Sequence, residues 1–121
     1  ETVRQLLYHV SLIQQRSIGA QSSEDFLGSD QGLPLLDAIC MQFIALGEGV
    51  KNLDKLTNRT LLVQYRDVPW QDIMGMRDVL SHHYIHLDAE VVFKTCKEGI
   101  PVLEDALNKL EASMLNSRNW D

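Results

Sequence analysis

An arginine, a histidine and a tyrosine stand at fixed spacing in the second half of the chain, at Arg77, His82 and Tyr84. A guanidinium is permanently charged, and its planar fork of donors matches the geometry of a phosphate. An imidazole titrates near neutrality and can take or give a proton in a transition state. Together these groups can cut a phosphodiester without a metal, so the spacing predicts a site that handles phosphate.

The three residues fall on a predicted helix that Pro69 opens and that runs from Trp70 to about Tyr84. Its apolar stripe contains Ile73, Met76, Leu80, His83 and Leu87. At about 100° per residue, Arg77 and Tyr84 flank this stripe, whereas His82 points nearly the opposite way. His82 is therefore either an idle surface residue or part of a cleft formed with another chain. His83, on the stripe, is better explained as a hydrogen-bonded core histidine.

Periodic apolar residues predict the helices that must hold this segment in place. A first amphipathic helix contains Val3, Leu6, Leu7, Val10 and Ile13 and ends near Gly19. A short helical turn follows at residues 23–27, with Ser23 as its N-cap. A second long helix starts at about residue 33 and carries Leu36, Ile39, Cys40, Phe43, Ile44, Leu46, Val50 and Leu53.

Two further helical pieces complete the prediction. A brief one lies between residues 57 and 67, and a long one, capped by Asp88, runs from Glu90 to about Leu115. Pro101 should bend or break the last helix, because proline lacks the backbone donor and clashes with the preceding turn. No segment alternates like a strand, so the sequence predicts one all-α domain over residues 1–121, an up-and-down bundle of four to five helices.

Gly47 and Gly49 lie inside the second helix, where each glycine costs about 1 kcal/mol relative to alanine. Such a cost indicates close backbone approach by a neighbour. Either another helix of the same chain or a second subunit fits this expectation.

The most basic stretch is Lys51, Lys55 and Arg59, spaced four residues apart, with Arg66 beyond. We call Lys51, Lys55 and Arg59 the basic tract. It is either an ordinary solvated face or a surface along which RNA backbone reaches the Arg77 segment. The acids Glu48 and Asp54 dilute its charge.

Composition limits the function classes. The 121 residues carry a formal net charge of −6, which argues against a protein that coats nucleic acid non-specifically. No apolar run is long enough for a membrane span, and the first residues lack the layout of a secretory signal, so we expect a cytoplasmic protein. Cys40 and Cys96 stand apart in apolar surroundings, which favours buried free thiols over a disulfide.

The R-x-x-x-x-H-x-Y spacing, preceded by the residues from Pro69 to Met76, resembles the signature of HepT-type ribonuclease toxins of the HEPN class. The likeness continues in residues 84–88, 91–93 and 99–103, and residues 45–48 resemble the second-helix motif of that family. It covers the chain from about Leu7 to Leu110.

The resemblance implies the toxin of a type VII toxin–antitoxin system, a HEPN-type homodimer whose two motifs line one cleft. His82 would then be the catalytic histidine of a metal-independent endoribonuclease, with Arg77 its partner and no cofactor. Asp78 stands where the wider HEPN class favours a polar residue that orients the site, although a solvated aspartate is an equal alternative.

The resemblance also assigns two further residues. Tyr84 would be the hydroxyl that a cognate minimal nucleotidyltransferase antitoxin adenylylates, while from sequence alone it is equally a packed ring with an outward hydroxyl. Glu48 is either at the edge of its helix's apolar stripe or a buried carboxylate paired with a cation such as Arg77, and the resemblance puts it near the dimer cleft.

Three other interpretations remain. A metal could be held by His82, His83, His86 and Asp88, since His82 and His86 have the helical spacing of ligands, although no second acidic or Cys cluster completes a site. A non-catalytic helical dimer could instead hold nucleotide or a nucleotidyltransferase, with Arg77 as a phosphate anchor only. A purely structural dimer would make the motif accidental.

Overall fold

A computed structural model describes the backbone of residues 2–28, 30–76 and 85–120, and the side chains of these residues apart from 33, 85–88 and 117–120. All regular structure in these ranges is helical, which confirms the predicted all-α class. The helices are α1 (Thr2–Ser17), α2 (Glu24–Leu27), α3 (Gly32–Leu56), α4 (Leu61–Gln64), α5 (Trp70–Met74), α6 (Ile85–Lys94), a π-helical turn (Thr95–Gly99) and α7 (Ile100–Trp120).

The long helices α1, α3 and α7 form the body of the fold. Leu6 of α1 faces Gly49 of α3, and His9 bonds to Gln42, so α1 and α3 run in opposite directions. On the other side Arg4 pairs with Glu111 and Gln14 bonds to Glu104, so α7 is also antiparallel to α1.

The core contains the apolar residues that the helical periodicity selected. Val3, Leu6, Val10 and Ile13 of α1 are all buried, whereas Leu7 packs at the edge of the core. The buried residues of α3 are Leu36, Ile39, Phe43, Leu46, Val50 and Leu53, while Cys40 is only half-buried. Neither cysteine forms a disulfide, as predicted. No described helix combines the length and hydropathy that crossing a membrane requires.

Gly47 and Gly49 lie against neighbouring helices of the same subunit. A β-carbon on Gly47 would stand 3.4 Å from the carbonyl oxygen of Ile73, and one on Gly49 would collide with the Leu6 side chain. Close approach by neighbouring helices of the same chain is therefore confirmed. These glycines consequently give no support to a second subunit.

Two predicted helix ends are wrong, and one predicted capping bond is missing. Ser23 occupies the N-cap position of α2, as predicted, but its side chain makes no capping bond; instead the Asp25 carboxylate accepts from the backbone N–H of Gln21 at 2.7 Å and of Ser22 at 3.3 Å. The helix predicted from Trp70 to about Tyr84 is not continuous, because α5 ends at Met74 and Gly75 forms a turn. Asp88 is not an N-cap, because α6 already begins at Ile85.

The irregularity expected at Pro101 is a π-helical turn. Proline has no N–H for the carbonyl of the residue four positions earlier, so the α-helical ladder is interrupted there. Residues Thr95–Gly99 absorb the interruption by widening to the π-helical pattern, and α7 continues from Ile100. The side chain of Pro69 closes against Gly99, where an added β-carbon would approach it to 3.0 Å.

Candidate active site

The residues expected to do the chemistry, Arg77, Asp78, His82 and Tyr84, lie outside the described residues, as does His83. The side chains of His86 and Asp88, which the metal alternative needs, also lie outside them. Their roles stay predictions. What the structure supplies is the frame at both ends of residues 77–84 and the surface that surrounds it.

The frame before Arg77 is anchored in the core. Trp70 is buried, and its indole Nε1 donates to the carbonyl oxygen of Tyr65 at 2.8 Å. Ile73 and Met76 are fully buried. Because Met76 directly precedes Arg77, the chain enters the motif from a fixed point.

The frame after Tyr84 is α6, which packs through two fully buried residues, Ala89 and Val92. Phe93 meets the buried ring of Phe26 edge to face, with centroids 6.5 Å apart. The Nζ of Lys97 lies over the Phe93 ring, 5.7 Å from its centroid. The chain therefore leaves the motif into a helix that the core also holds.

Glu48 is an exposed carboxylate, so the prediction of a buried, paired carboxylate at this position is wrong. Its side chain is 57% exposed, and Oε1 lies 3.8 Å from Nζ of Lys51. The adjoining Gly47 contacts the end of α5, two residues ahead of Met76. Glu48 thus stands on the turn of α3 that borders the entry to the motif, whereas a role in a dimer cleft stays a prediction.

The basic tract is exposed but is not a single helical stripe. Lys51 and Lys55 lie one turn apart on α3 and face solvent. The expected third position is wrong, because α3 ends at Leu56 and Arg59 lies in the loop beyond. Its φ is 62°, a left-handed conformation, and its backbone N–H donates to the carbonyl oxygen of Asp54 at 2.7 Å. A non-glycine residue held there costs on the order of 1 kcal/mol or more.

Two adjoining surface grooves, which share Asp67 and Val102, carry mixed charge. One, of about 640 Å³, is lined by Arg66 and Lys109 but also by Asp67 and Asp105. Lys109 Nζ is 3.0 Å from the Asp105 carboxylate, and this hydrogen bond raises the pKa of the amine. The second, of about 410 Å³, has Lys94 against Asp67, Asp72 and Glu98. In neither groove does the balance of positive and negative side chains favour an anionic ligand.

Comparison with known proteins agrees with the motif. The description "Ribonuclease HepT-like" matches residues 7–110, which is most of the chain. The chain belongs to the ribonuclease HepT-like family. The limits of this match coincide with those of the resemblance noted from the residues alone.

Curated HepT-like relatives match over about half of their length. The chain is 37% identical over 65 residues to a protein named probable ribonuclease HepT from Thermococcus cleftensis, covering 54% of this chain and 56% of the relative. It is 35% identical over 65 residues, 54% of each chain, to a protein of Caldanaerobacter subterraneus subsp. tengcongensis named provisionally as an RNase. A Methanocaldococcus jannaschii protein with the same provisional name is 32% identical over 71 residues, 59% of this chain and 56% of its own. No solved structure matches significantly.

Proposed function

We propose that this protein is the toxin of a type VII toxin–antitoxin system and acts in the cytoplasm as a metal-independent endoribonuclease. The observation that carries the proposal is the complete set of Arg77, His82 and Tyr84 at the family spacing, within a chain of the HepT-like family. The buried anchors at Met76 and Ala89 support it, because a catalytic segment needs fixed ends.

In the proposed reaction, His82 takes the proton of a ribose 2′-hydroxyl as a general base. The 2′-oxygen attacks the adjacent phosphorus, the bond from phosphorus to the 5′-oxygen breaks, and the leaving 5′-oxygen takes a proton from water. Arg77 stabilises the negative charge that builds up on the phosphoryl oxygens, and Asp78 orients the site. The products are a 2′,3′-cyclic phosphate and a free 5′-hydroxyl.

Substrate chemistry tests this route. A 2′-O-methyl group at the cut position should abolish cleavage there, because the attacking oxygen no longer has a proton to lose. Product ends are then read by mass spectrometry on an unmodified substrate. Products that end in a 3′-hydroxyl and a 5′-phosphate would contradict the mechanism, since they require attack by water.

The basic tract is proposed to hold the RNA backbone, with Glu48 at the edge of this surface. Lys51 and Lys55 are exposed on one face of α3, and Arg59 occupies its left-handed position at an energetic cost that glycine would not incur. Lys51→Gln with Lys55→Gln should weaken RNA binding and lower its dependence on salt, because each lost phosphate contact releases one counterion fewer. Unchanged affinity and salt slope would show that this is an ordinary solvated face.

Tyr84 is proposed as the switch. Adenylylation by a minimal nucleotidyltransferase antitoxin would place anionic phosphate beside Arg77 and His82, where it competes with RNA for the arginine. Protein co-expressed with the cognate transferase should gain the mass of one or more AMP groups, and Tyr84→Phe should gain none. Tyr8 and Tyr65 remain in that variant as internal controls, so a mass gain on Tyr84→Phe would reassign the modified site.

A further inference from the structure

Helix α1 differs in charge from the other long helices that the structure describes. Residues Thr2–Ser17 contain Arg4 and Arg16 but no aspartate or glutamate. The helices α3, α6 and α7 all carry acids. In a chain of net charge −6, α1 is therefore locally cationic.

The outward face of α1 includes an exposed aromatic ring. Tyr8 is 62% exposed, although tyrosine usually packs its ring. It lines a surface groove of about 530 Å³ together with Arg4, Gln5 and His9. Among the described residues no acid is part of this lining, in contrast to the two grooves above, although Glu111 of α7 pairs with Arg4 beside it.

A hydrogen bond to α3 holds the ring of His9. Its Nδ1 lies 2.6 Å from Oε1 of Gln42. The ring of Tyr8 stands at 54° to that of His9, with the centroids 6.1 Å apart.

Arg4 keeps donors for an anion. Its side chain is 75% exposed and bonds to Glu111 through Nε at 3.2 Å, which leaves the terminal nitrogens of the guanidinium. Arg16, which is half-buried, stands twelve positions further along α1, about 18 Å along the helix axis at 1.5 Å per residue. That span is the length of several stacked nucleotides.

We propose that the outward face of α1, comprising Arg4, Gln5, Tyr8, His9 and Arg16, binds single-stranded RNA outside the Arg77–Tyr84 segment. A base stacks on the exposed ring of Tyr8, and the two arginines contact backbone phosphates, as in other surfaces that bind single strands. The inference rests on the proposed ribonuclease function and adds to it a second contact surface for the substrate.

The test measures binding of an unstructured, labelled, 2′-O-methylated RNA oligonucleotide by fluorescence anisotropy. This probe has no free 2′-hydroxyl, so the unmutated protein cannot cut it by the proposed route. Tyr8→Ala should raise Kd about tenfold, the range for loss of one stacking ring. Tyr8→Phe keeps the ring and should stay within about twofold of the unmutated protein. Val63→Ala is the matched control, because Val63 is 59% exposed and lies on α4, away from this face.

A second arm tests the charge. Arg16→Gln should lower the slope of log Kd against log salt by about one contact. Arg16 is preferred to Arg4 here, because replacing Arg4 would also break its bond to Glu111.

Two outcomes overturn the proposal. If Tyr8→Ala binds the oligonucleotide as tightly as the unmutated protein, no base stacks on this ring. If the unmutated protein does not bind it, the face is not an RNA surface and a protein partner becomes the alternative. Cleavage of ordinary RNA, run beside both arms, reports on the ribonuclease separately, so either failure leaves that proposal to be judged by its own assay.

Discussion

The Lys97 side chain joins the π-helical turn to the end of α1, a contact that no local sequence pattern predicts. Its Nζ donates to the carbonyl oxygen of Ser17, the last residue of α1, at 2.9 Å. That carbonyl also accepts from the backbone N–H of Ala20 at 3.0 Å, and a cation at a helix C-terminus interacts favourably with the dipole. The amine meanwhile lies over the Phe93 ring.

Lys97→Met should therefore destabilise the fold by about 1 kcal/mol, since it removes a charged hydrogen bond and a cation–π contact. Lys109→Met is the matched control, because Lys109 pairs with Asp105 on an exposed surface, where such pairs contribute little. Urea denaturation compares the two. Equal losses of stability would mean that the Ser17 contact contributes nothing specific.

The Cys96 thiol gives a pH dependence. Burial raises its pKa from 9.0 to about 11, against smaller opposing effects of the Ser17 hydrogen bond and the charge of Lys97. Between these values the unfolded chain loses a proton that the folded chain keeps. The stabilisation is thus complete below pH 9 and is lost as the pH rises toward 11.

Stability against urea should fall more steeply above pH 9 in the unmutated protein than in Cys96→Ala, by on the order of 2 kcal/mol near pH 11. The difference between the two proteins cancels the titration of lysines and tyrosines. Parallel curves would show that the thiol is not buried as described. Alkylation in native buffer is a second check, because a buried neutral thiol should react only on unfolding.

At the scale of the elements, the long helices were predictable and several of their ends were not. The periodicity of Val3, Leu6, Val10 and Ile13 sets α1, because burial on one face repeats every turn. Helix ends depend on single residues whose preferences are weak. Ser23 and Asp88 are both predicted caps, yet the Ser23 side chain makes no capping bond and Asp88 lies inside α6.

Gly75 and Arg59 mark the other two errors. At Gly75 the high helical cost of glycine was the available signal, and the apolar stripe through Ile73 and Met76 outweighed it in the prediction. Before the left-handed turn at Arg59, Asn58 was the available signal, because asparagine is favoured in the left-handed conformation that it adopts with a φ of 57°; arginine is not, so the turn at Arg59 itself has no sequence signal.

The two glycines of α3 should respond differently to alanine. Gly47→Ala should stabilise by up to about 1 kcal/mol, because its β-carbon meets Ile73 at an ordinary contact distance and helix propensity improves. Gly49→Ala makes the same gain but collides with Leu6, which is 2% exposed and has no room to turn. Thermal melts should rank Gly47→Ala above the unmutated protein, and Gly49→Ala no higher than it.

Shortening Leu6 to valine removes the colliding atom, so the pair Leu6→Val and Gly49→Ala should lose less stability than the sum of the single changes. Additive losses would show that the two side chains do not meet.

The predicted homodimer requires an apolar surface that a second copy of the chain can cover. The glycines of α3 face inward, so they do not supply it. The outer side of α3 does offer one: Met41 is 68% exposed and its helical neighbours Ile44 and Ala45 are half-buried. We expect a second copy of the chain to cover these residues.

Met41→Glu should then shift the protein from dimer to monomer in sedimentation velocity, because burying an unpaired carboxylate is strongly unfavourable. Val63→Glu, also at an exposed apolar position, is the control and should leave the mass unchanged. A dimer that survives Met41→Glu would place the interface elsewhere.

The candidate site was predictable only in its chemistry. The types and spacing of Arg77, His82 and Tyr84 indicate phosphate chemistry without any structure, since few other groups serve it. The cationic face of α1 was overlooked, although its lack of acids is visible in the sequence. Tyr8 and His9 fall on an ordinary amphipathic helix, and only the Gln42 bond and the exposure of the ring single them out.

Cleavage of bulk transfer RNA by purified, unmodified protein in excess chelator tests the proposed ribonuclease. His82→Ala is run beside it, with His83→Gln as the matched histidine control, because glutamine keeps a hydrogen-bonding side chain at that predicted core position. We expect cleavage by the unmutated protein and by His83→Gln, and none by His82→Ala. Full cleavage by His82→Ala would contradict the proposed mechanism, and so would cleavage that returns only when a divalent metal is supplied.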